Sequence, residues 1–139
     1  MRLRSFSMNS QMGHIGAVVP GPPPITCTPL NYNPGWRVFK RTTDFHDLDP
    51  SKLFVFIEEH PDSINDGYFQ VNVNTQIFPD VPGSNHDGAG TLSFTDGHVE
   101  VRAWETRPRV RKVSLNNVTP STNDWLWLQA RATARPAVP

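Results

Sequence analysis

Side chains able to do acid–base or metal chemistry gather at two places in this sequence. Glu58-Glu59-His60 is followed closely by Asp62 and Asp66. Carboxylates beside loop carbonyls are the ligands calcium takes, so Glu58, Asp62 and Asp66 are weak calcium candidates. The D-x-[DN]-x-[DN]-G loop is missing, and capping of turns by Asp and Asn accounts for the same residues without a metal. The second place is His98 with Glu100, which share one face of a strand. A deaminase H-x-E needs a P-C-x-x-C partner, and Cys27 is the chain's single cysteine, which excludes a cysteine zinc site and an intrachain disulfide. H-E-x-x-H, G-x-S-x-G, a phosphate loop and a Cys/His nucleophile pairing are also lacking. His98 therefore reads as a solvated cross-strand partner of Thr95. His86 reads as a ring that bonds loop backbone and pins the segment after it. No catalytic residue and no required cofactor emerge.

Asn117-Val118-Thr119 is the chain's N-glycosylation sequon, with Pro120 directly behind it. Thr26, Thr28, Ser121 and Thr122 stand near prolines and are compositional candidates for O-glycans.

The element that must position these residues is a hairpin over 86–104. Asp96-Gly97 lies between two alternating runs and predicts a two-residue type I′ turn. That turn places Thr95 opposite His98, Phe94 opposite Val99, Ser93 opposite Glu100 and Leu92 opposite Val101. Leu92, Phe94, Val99, Val101 and Ala103 then share the core face. Thr91, Ser93, Thr95, His98, Glu100, Arg102 and Trp104 share the other.

Around the hairpin, residues 2–8 alternate as a strand would, 36–39 form a short strand candidate, and 47–52 form a turn fixed by Pro50. Residues 53–57 are continuously apolar and predict a central strand buried on both faces. Residues 68–74 alternate, with Phe69, Val71 and Val73 inward. Residues 124–131 are the helix candidate, capped by Asn123 or Asp124. The 139 residues suffice for a single globular domain, with an extended, proline-rich segment over 1–24 and a C-terminal tail over 132–139 that orders only where a surface holds it. Fourteen prolines and nine glycines predict long loops and short helical pieces. Thirteen basic residues balance thirteen acidic ones, which gives no footprint for nucleic acid; the cluster Arg107, Arg109, Arg111 and Lys112 reads as a solvated face. No apolar run is long enough to span a membrane. The expected fold is α+β and β-rich, built on an antiparallel sheet.

One family carries these blocks in the same order. His86, nine residues, then Asp96-Gly97 matches the His-x9-Asp-Gly signature of prepilin-like proteins, which are abundant in planctomycetes and related bacteria and similar to type II secretion pseudopilins. Arg4-Ser5-Phe6-Ser7-Met8-Asn9 resembles the family's segment ahead of its C-terminal part. The run from Phe56-Ile57-Glu58-Glu59-His60 to Asp66-Gly67 resembles its middle block. Asp96-Gly97-His98-Val99-Glu100 with Trp104 resembles its hairpin, and Asp124-Trp125-Leu126-Trp127-Leu128-Gln129 its terminal segment. The resemblance implies a pseudopilin-like C-terminal globular domain, bacterial, extracellular or on the cell surface. Members normally carry a prepilin cleavage site and a long apolar helix ahead of it. Neither stands in these 139 residues, so the resemblance implies either the C-terminal portion of a longer protein or a variant that assembles differently.

The expected function is structural: a subunit of a filament or fibril whose partner is itself, in a helical homo-polymer. An alternative is a secreted binding module with glycan partners, for which Trp36, Trp104, Tyr68 or Trp125 would offer stacking faces. A metal-dependent hydrolase is the remote third reading, since no complete catalytic set is present.

Overall fold

The computed structural model describes residues 5–13, 18–19, 25–26, 32–106 and 118–136. The strands are β1 (Phe6–Asn9), β2 (Val18–Val19), β3 (Ile25–Thr26), β4 (Phe54–Glu58), β5 (Tyr68–Phe69), β6 (Ala89–Phe94) and β7 (Val99–Ala103), followed by helix α1 (Thr122–Ala132). Five strands form one sheet in the order β5-β1-β4-β6-β7, and β2 pairs with β3 apart from it. The fold is α+β and β-rich. Its sheet is mixed rather than purely antiparallel, because β1 and β5 run parallel while the other neighbours are antiparallel. A parallel pair needs a long crossover, and the whole segment between β1 and β5 provides it.

The N-terminal strand is an interior element. β1 pairs Met8 with Phe56 on one side and with Tyr68 on the other. Asn9 fastens it further, donating through Nδ2 to Phe54 O at 3.0 Å and to Ala132 O at 2.9 Å. Residues 5–13 therefore spend their ladder groups inside their own subunit, and the extended N-terminal segment is no free arm over that stretch. The C-terminal tail is likewise held as far as Arg135. Arg37 N donates to Ala134 O, Thr133 Oγ1 donates to Arg37 O, and the Arg135 guanidinium lies over the Trp36 ring.

Strand β4 is central, as its apolar run predicts, but it is not buried on both faces. Phe54 and Ile57 are buried while Phe56 is 45% exposed. A register shift between Phe54 and Phe56 re-aims the strand, the usual effect of a bulge. Residues 36–39 contribute only an isolated bridge from Phe39 to Met12. Pro50–Lys52 forms a 3-10 turn, with Asp49 accepting from Ser51 N.

The alternating run 68–74 buries Phe69, Val71 and Val73 as expected, yet it pairs as a strand only at Tyr68–Phe69. Side chains take the backbone groups that a neighbouring strand would otherwise satisfy. The Asn33 amide donates to Val71 O and accepts from Val73 N, Asp80 accepts from Gln70 N, Trp125 Nε1 donates to Asn72 O, and Gln129 Nε2 donates to Val73 O.

Helix α1 starts two residues earlier than its sequence signals suggest. Ser121 is the cap, its Oγ accepting from Asp124 N at 3.1 Å. Asp124 is fully buried and accepts from Thr106 N, tying the helix start to the chain that leaves β7. The helix sets Leu128 and Ala132 on the inner face of the sheet, in a core with Phe54, Ile57, Phe69, Val71, Val73, Phe78, Leu92, Phe94 and Trp104.

Candidate functional site

The motif residues build the β6–β7 hairpin and the loop that enters it. Two Asp-Gly dipeptides compete for the turn chemistry here, and they divide it differently from expectation. Asp87-Gly88 is the tight two-residue turn. Both residues have positive φ, +53° and +84°, and His86 and Ala89 exchange backbone hydrogen bonds across it. At Asp96-Gly97 only Gly97 is in the left-handed region, at +92°. Gly97 N and His98 O both bond to the backbone of Phe94, so the loop has three residues, Thr95-Asp96-Gly97. This is the next commonest hairpin, a turn followed by a left-handed residue at a bulge.

The extra loop residue moves the register by one. Ser93 faces Val99, Leu92 faces Glu100 and Thr91 faces Val101, in place of the predicted pairs. Every side chain of β7 consequently changes sides. His98, Glu100 and Arg102, expected in solvent, lie on the face that carries α1, and Trp104 beyond them is buried in the core. Val99 and Val101, expected in the core, are 60% and 67% exposed.

His98 and the inward residues of β7 are held by ring stacks and ion pairs, while Arg102 Nε is buried with no hydrogen bond among the described residues. The His98 ring stacks on Phe94 with centroids 4.3 Å apart. Its Nδ1 is 2.5 Å from Asp96 Oδ1 and its Nε2 3.1 Å from Glu100 Oε1. These carboxylates, Asp96 first, hold the imidazole above its ordinary pKa, and His98 in turn holds Asp96 below the usual carboxylate range. Arg102 lies over Trp127, 5.1 Å from the ring centroid, with Nη2 3.7 Å from Asp124. His98 is thus a partner of Phe94, Asp96 and Glu100 and not of Thr95.

At the other end of the hairpin, Glu58 is the hub. It is 5% exposed, takes hydrogen bonds from Asn85 Nδ2 and Thr91 N, and stands 3.4 Å from His86 Nε2. His86 therefore pins the loop by its backbone, with its ring on a carboxylate rather than on loop carbonyls. Trp104 Nε1 donates to Gly83 O at 3.0 Å. A Cβ on Gly90 would stand 2.3 Å from that same carbonyl oxygen, so the loop and β6 touch through glycine.

The calcium candidates do not converge. The Glu58 carboxylate is turned into this loop, and Asp66 accepts from Tyr68 N. Among the described residues no three His, Cys, Asp or Glu side chains gather as metal ligands would. Ser121 is the helix cap and Thr122 accepts from Gln76 Nε2, while Asn117 and Thr28 lie outside the described residues and Thr26 belongs to β3. The basic cluster at 107–112 also lies outside them. Of the stacking candidates, Trp104 is buried, Trp36 and Trp125 pack partly buried against the core, and Tyr68 lines a polar cleft.

Among the described residues the outer face of the sheet has no layer over its middle. Cross-strand rows on that face run Met8, Phe56, Ser93, Val99 and then Phe6, Glu58 with Thr91, Val101. One end is covered by a small cluster of Met12, Phe39 and Leu53, against which Met8 and Phe45 pack. The loop through Gly83 and Asn85 covers Glu58 at the other end. Between them Phe6, Phe56, Val99 and Val101 are 43–67% exposed, and β7 is the last strand of the sheet among the described residues. The sequence placed both valines in the core and offered no signal for this patch, because the one-residue register shift decides it. No helix is long and apolar enough to cross a membrane among the described residues. No protein-family model, no curated protein and no solved structure matches this chain.

Proposed function

We propose that this chain is a structural subunit of an extracellular or cell-surface filament, pseudopilin-like in its globular part, that assembles by contact between copies. The observation that carries the proposal is the apolar strip of Val99, Val101, Phe56 and Phe6 beside the edge of β7, which no other described strand pairs. Contiguous apolar surface next to a free edge is what subunit association uses, and an isolated protein ordinarily blunts it. The occupant that fits is a second copy. The two edges of the sheet, β5 and β7, are different surfaces, and a contact between different surfaces repeats head to tail instead of closing as a dimer. A formal net charge of zero puts no long-range repulsion between copies. The ordered motif blocks that resemble prepilin-like proteins support the same reading. The sheet's own β1 does not cross to a neighbour, so the joint is made by surfaces and not by exchange of the N-terminal strand.

Sedimentation velocity and electron microscopy of the purified chain test this. The wild type grows into fibres with concentration. The double variant Val99→Lys, Val101→Lys stays folded and monomeric, since both side chains already face solvent. A wild-type chain that remains monomeric at all concentrations overturns the proposal, as do intact fibres from the double variant.

A further inference from the structure

On the side of the molecule where β5 leads into the irregular 70–80 stretch there is a cleft of about 480 Å³, within the ~300–1,000 Å³ range of small-molecule sites. Its polar lining includes Tyr32, Tyr68, Asp66, Asp80, Gln70 and Asn72, and Ile77 and Pro79 add an apolar wall. We propose that this cleft binds a neutral saccharide, a short segment of a glycan held through its hydroxyl groups.

The reasoning starts from which polar groups are already committed. Asp80 is only 7% exposed, and its Oδ2 accepts from Gln70 N at 2.7 Å, while Oδ1 takes no hydrogen bond from the described residues. Asn72 uses Oδ1 to cap Asn74 N and Thr75 N, which leaves its amide donors unspent. The Gln70 amide and the hydroxyls of Tyr32 and Tyr68 have no partner among the described residues. The cleft thus offers donors and acceptors side by side, each needing a partner that can do both, which a sugar hydroxyl does. Tyrosine rings with the Ile77–Pro79 wall suit the C–H face of a pyranose.

Charge narrows the class. Among the described residues the lining has no lysine, arginine or histidine to give a phosphate or carboxylate ligand a counter-charge. Burial raises the Asp80 carboxyl to about 7, which blunts its negative charge near neutral pH and weakens the case for a cationic ligand. Burial and then the Asp66 and Asp80 carboxylates push the Tyr32 hydroxyl up, so it stays a hydrogen-bond donor. Tyr32, Asp66, Tyr68 and Asp80 line the same cleft.

Calorimetric titration of the purified chain with neutral di- and trisaccharides of glucose, mannose and N-acetylglucosamine tests the assignment, with spermidine and inorganic phosphate as charged probes. At least one neutral saccharide binds saturably. Tyr68→Phe, which keeps the ring, and Gln70→Ala, which leaves the Gln70 backbone N–H bond in place, each weaken it at least tenfold without shifting the melting temperature. Absence of saturable binding by all the sugars overturns the proposal. So does binding untouched by both variants, or binding of spermidine or phosphate alone. Polymerisation through the outer sheet face is read separately by sedimentation, so either proposal can fail without the other.

Discussion

Phe94 and His98 lie flat against each other, their ring planes 7° apart, as the closing pair of the β6–β7 hairpin. That stack accompanies a three-residue loop. With a two-residue turn Phe94 would face Val99, and both valines would point toward α1. The aromatic stack, the Asp96 and Glu100 bonds to the imidazole, and the left-handed Gly97 all belong to the same register. A polar inner row on β7 is therefore a consequence of the turn and not a packing defect.

The charge state of His98 should register in stability. Its folded pKa is raised by Asp96 and then Glu100, so its contribution is complete below about 6.5, the unfolded value, and is lost as pH climbs through the folded value. Asp96 is lowered by the same contact, so its contribution exists above about 3.9 and is lost as pH falls through its folded value. Histidine resonances followed by NMR should show His98 titrating above 6.5, and Asp96→Asn should bring it down. An unmoved His98 in that variant contradicts the pairing.

Two glycines should separate strain from collision. At Gly97 a Cβ meets nothing within 4 Å, so Gly97→Ala costs about 1 kcal/mol through the left-handed backbone alone. At Gly90 the added Cβ drives into Gly83 O beside the Trp104 bond, with no flexible side chain to yield. Gly90→Ala should lower the melting temperature far more than Gly97→Ala. The reverse order would mean the loop does not lie on β6.

Several of these features were legible in the residues and others were not, for definite reasons. The β6–β7 hairpin, the central place of β4, the inward Phe69, Val71 and Val73, and a C-terminal helix follow from apolar period and turn chemistry. The turn type did not, because Asp87-Gly88 and Asp96-Gly97 are alike in composition and differ only in what flanks them. The interior position of β1 did not, because a short alternating run looks the same at an edge or at the centre. The polar cleft did not, because it depends on Asn33 and Asp80 taking backbone groups across long sequence separations.

Asp80 should make the fold weaken as pH rises from acid to neutral. Its carboxyl is raised by burial to about 7 in the folded chain and ionises near 3.9, about the reference value, once unfolded. The unfolded chain then binds fewer protons between those values, so stability falls as pH rises through that window. Asp80→Asn keeps an oxygen for Gln70 N and removes the titration. Its melting temperature should exceed the wild type's at pH 8, with the gap closing at pH 4. An equal difference at both pH values would show that Asp80 ionises normally in the fold.

Folding should not need a metal. Glu58 already takes bonds from Asn85 and Thr91 N, and Asp66 caps Tyr68. Thermal melts with and without a strong chelator should superimpose. A large drop restored by calcium would place a site in the acidic stretch 58–66.

Truncation gives the sharpest test of how β1 is used. Were residues 1–12 an arm reaching to a neighbour, their removal would leave a folded monomer. In this fold their loss strips β4 of one partner and β5 of the only strand that pairs with it among the described residues. It also removes Asn9 from Phe54 O and Ala132 O, Ser7 from Glu59, and Met12 from its cluster with Phe39 and Leu53. Against a total stability on the order of 5–15 kcal/mol, losing an interior strand together with its buried polar partners is not survivable. The truncated chain should show no cooperative thermal transition. Dispersed amide resonances and a sharp melt from that truncation would return β1 to the periphery and reopen strand exchange as the joint between subunits.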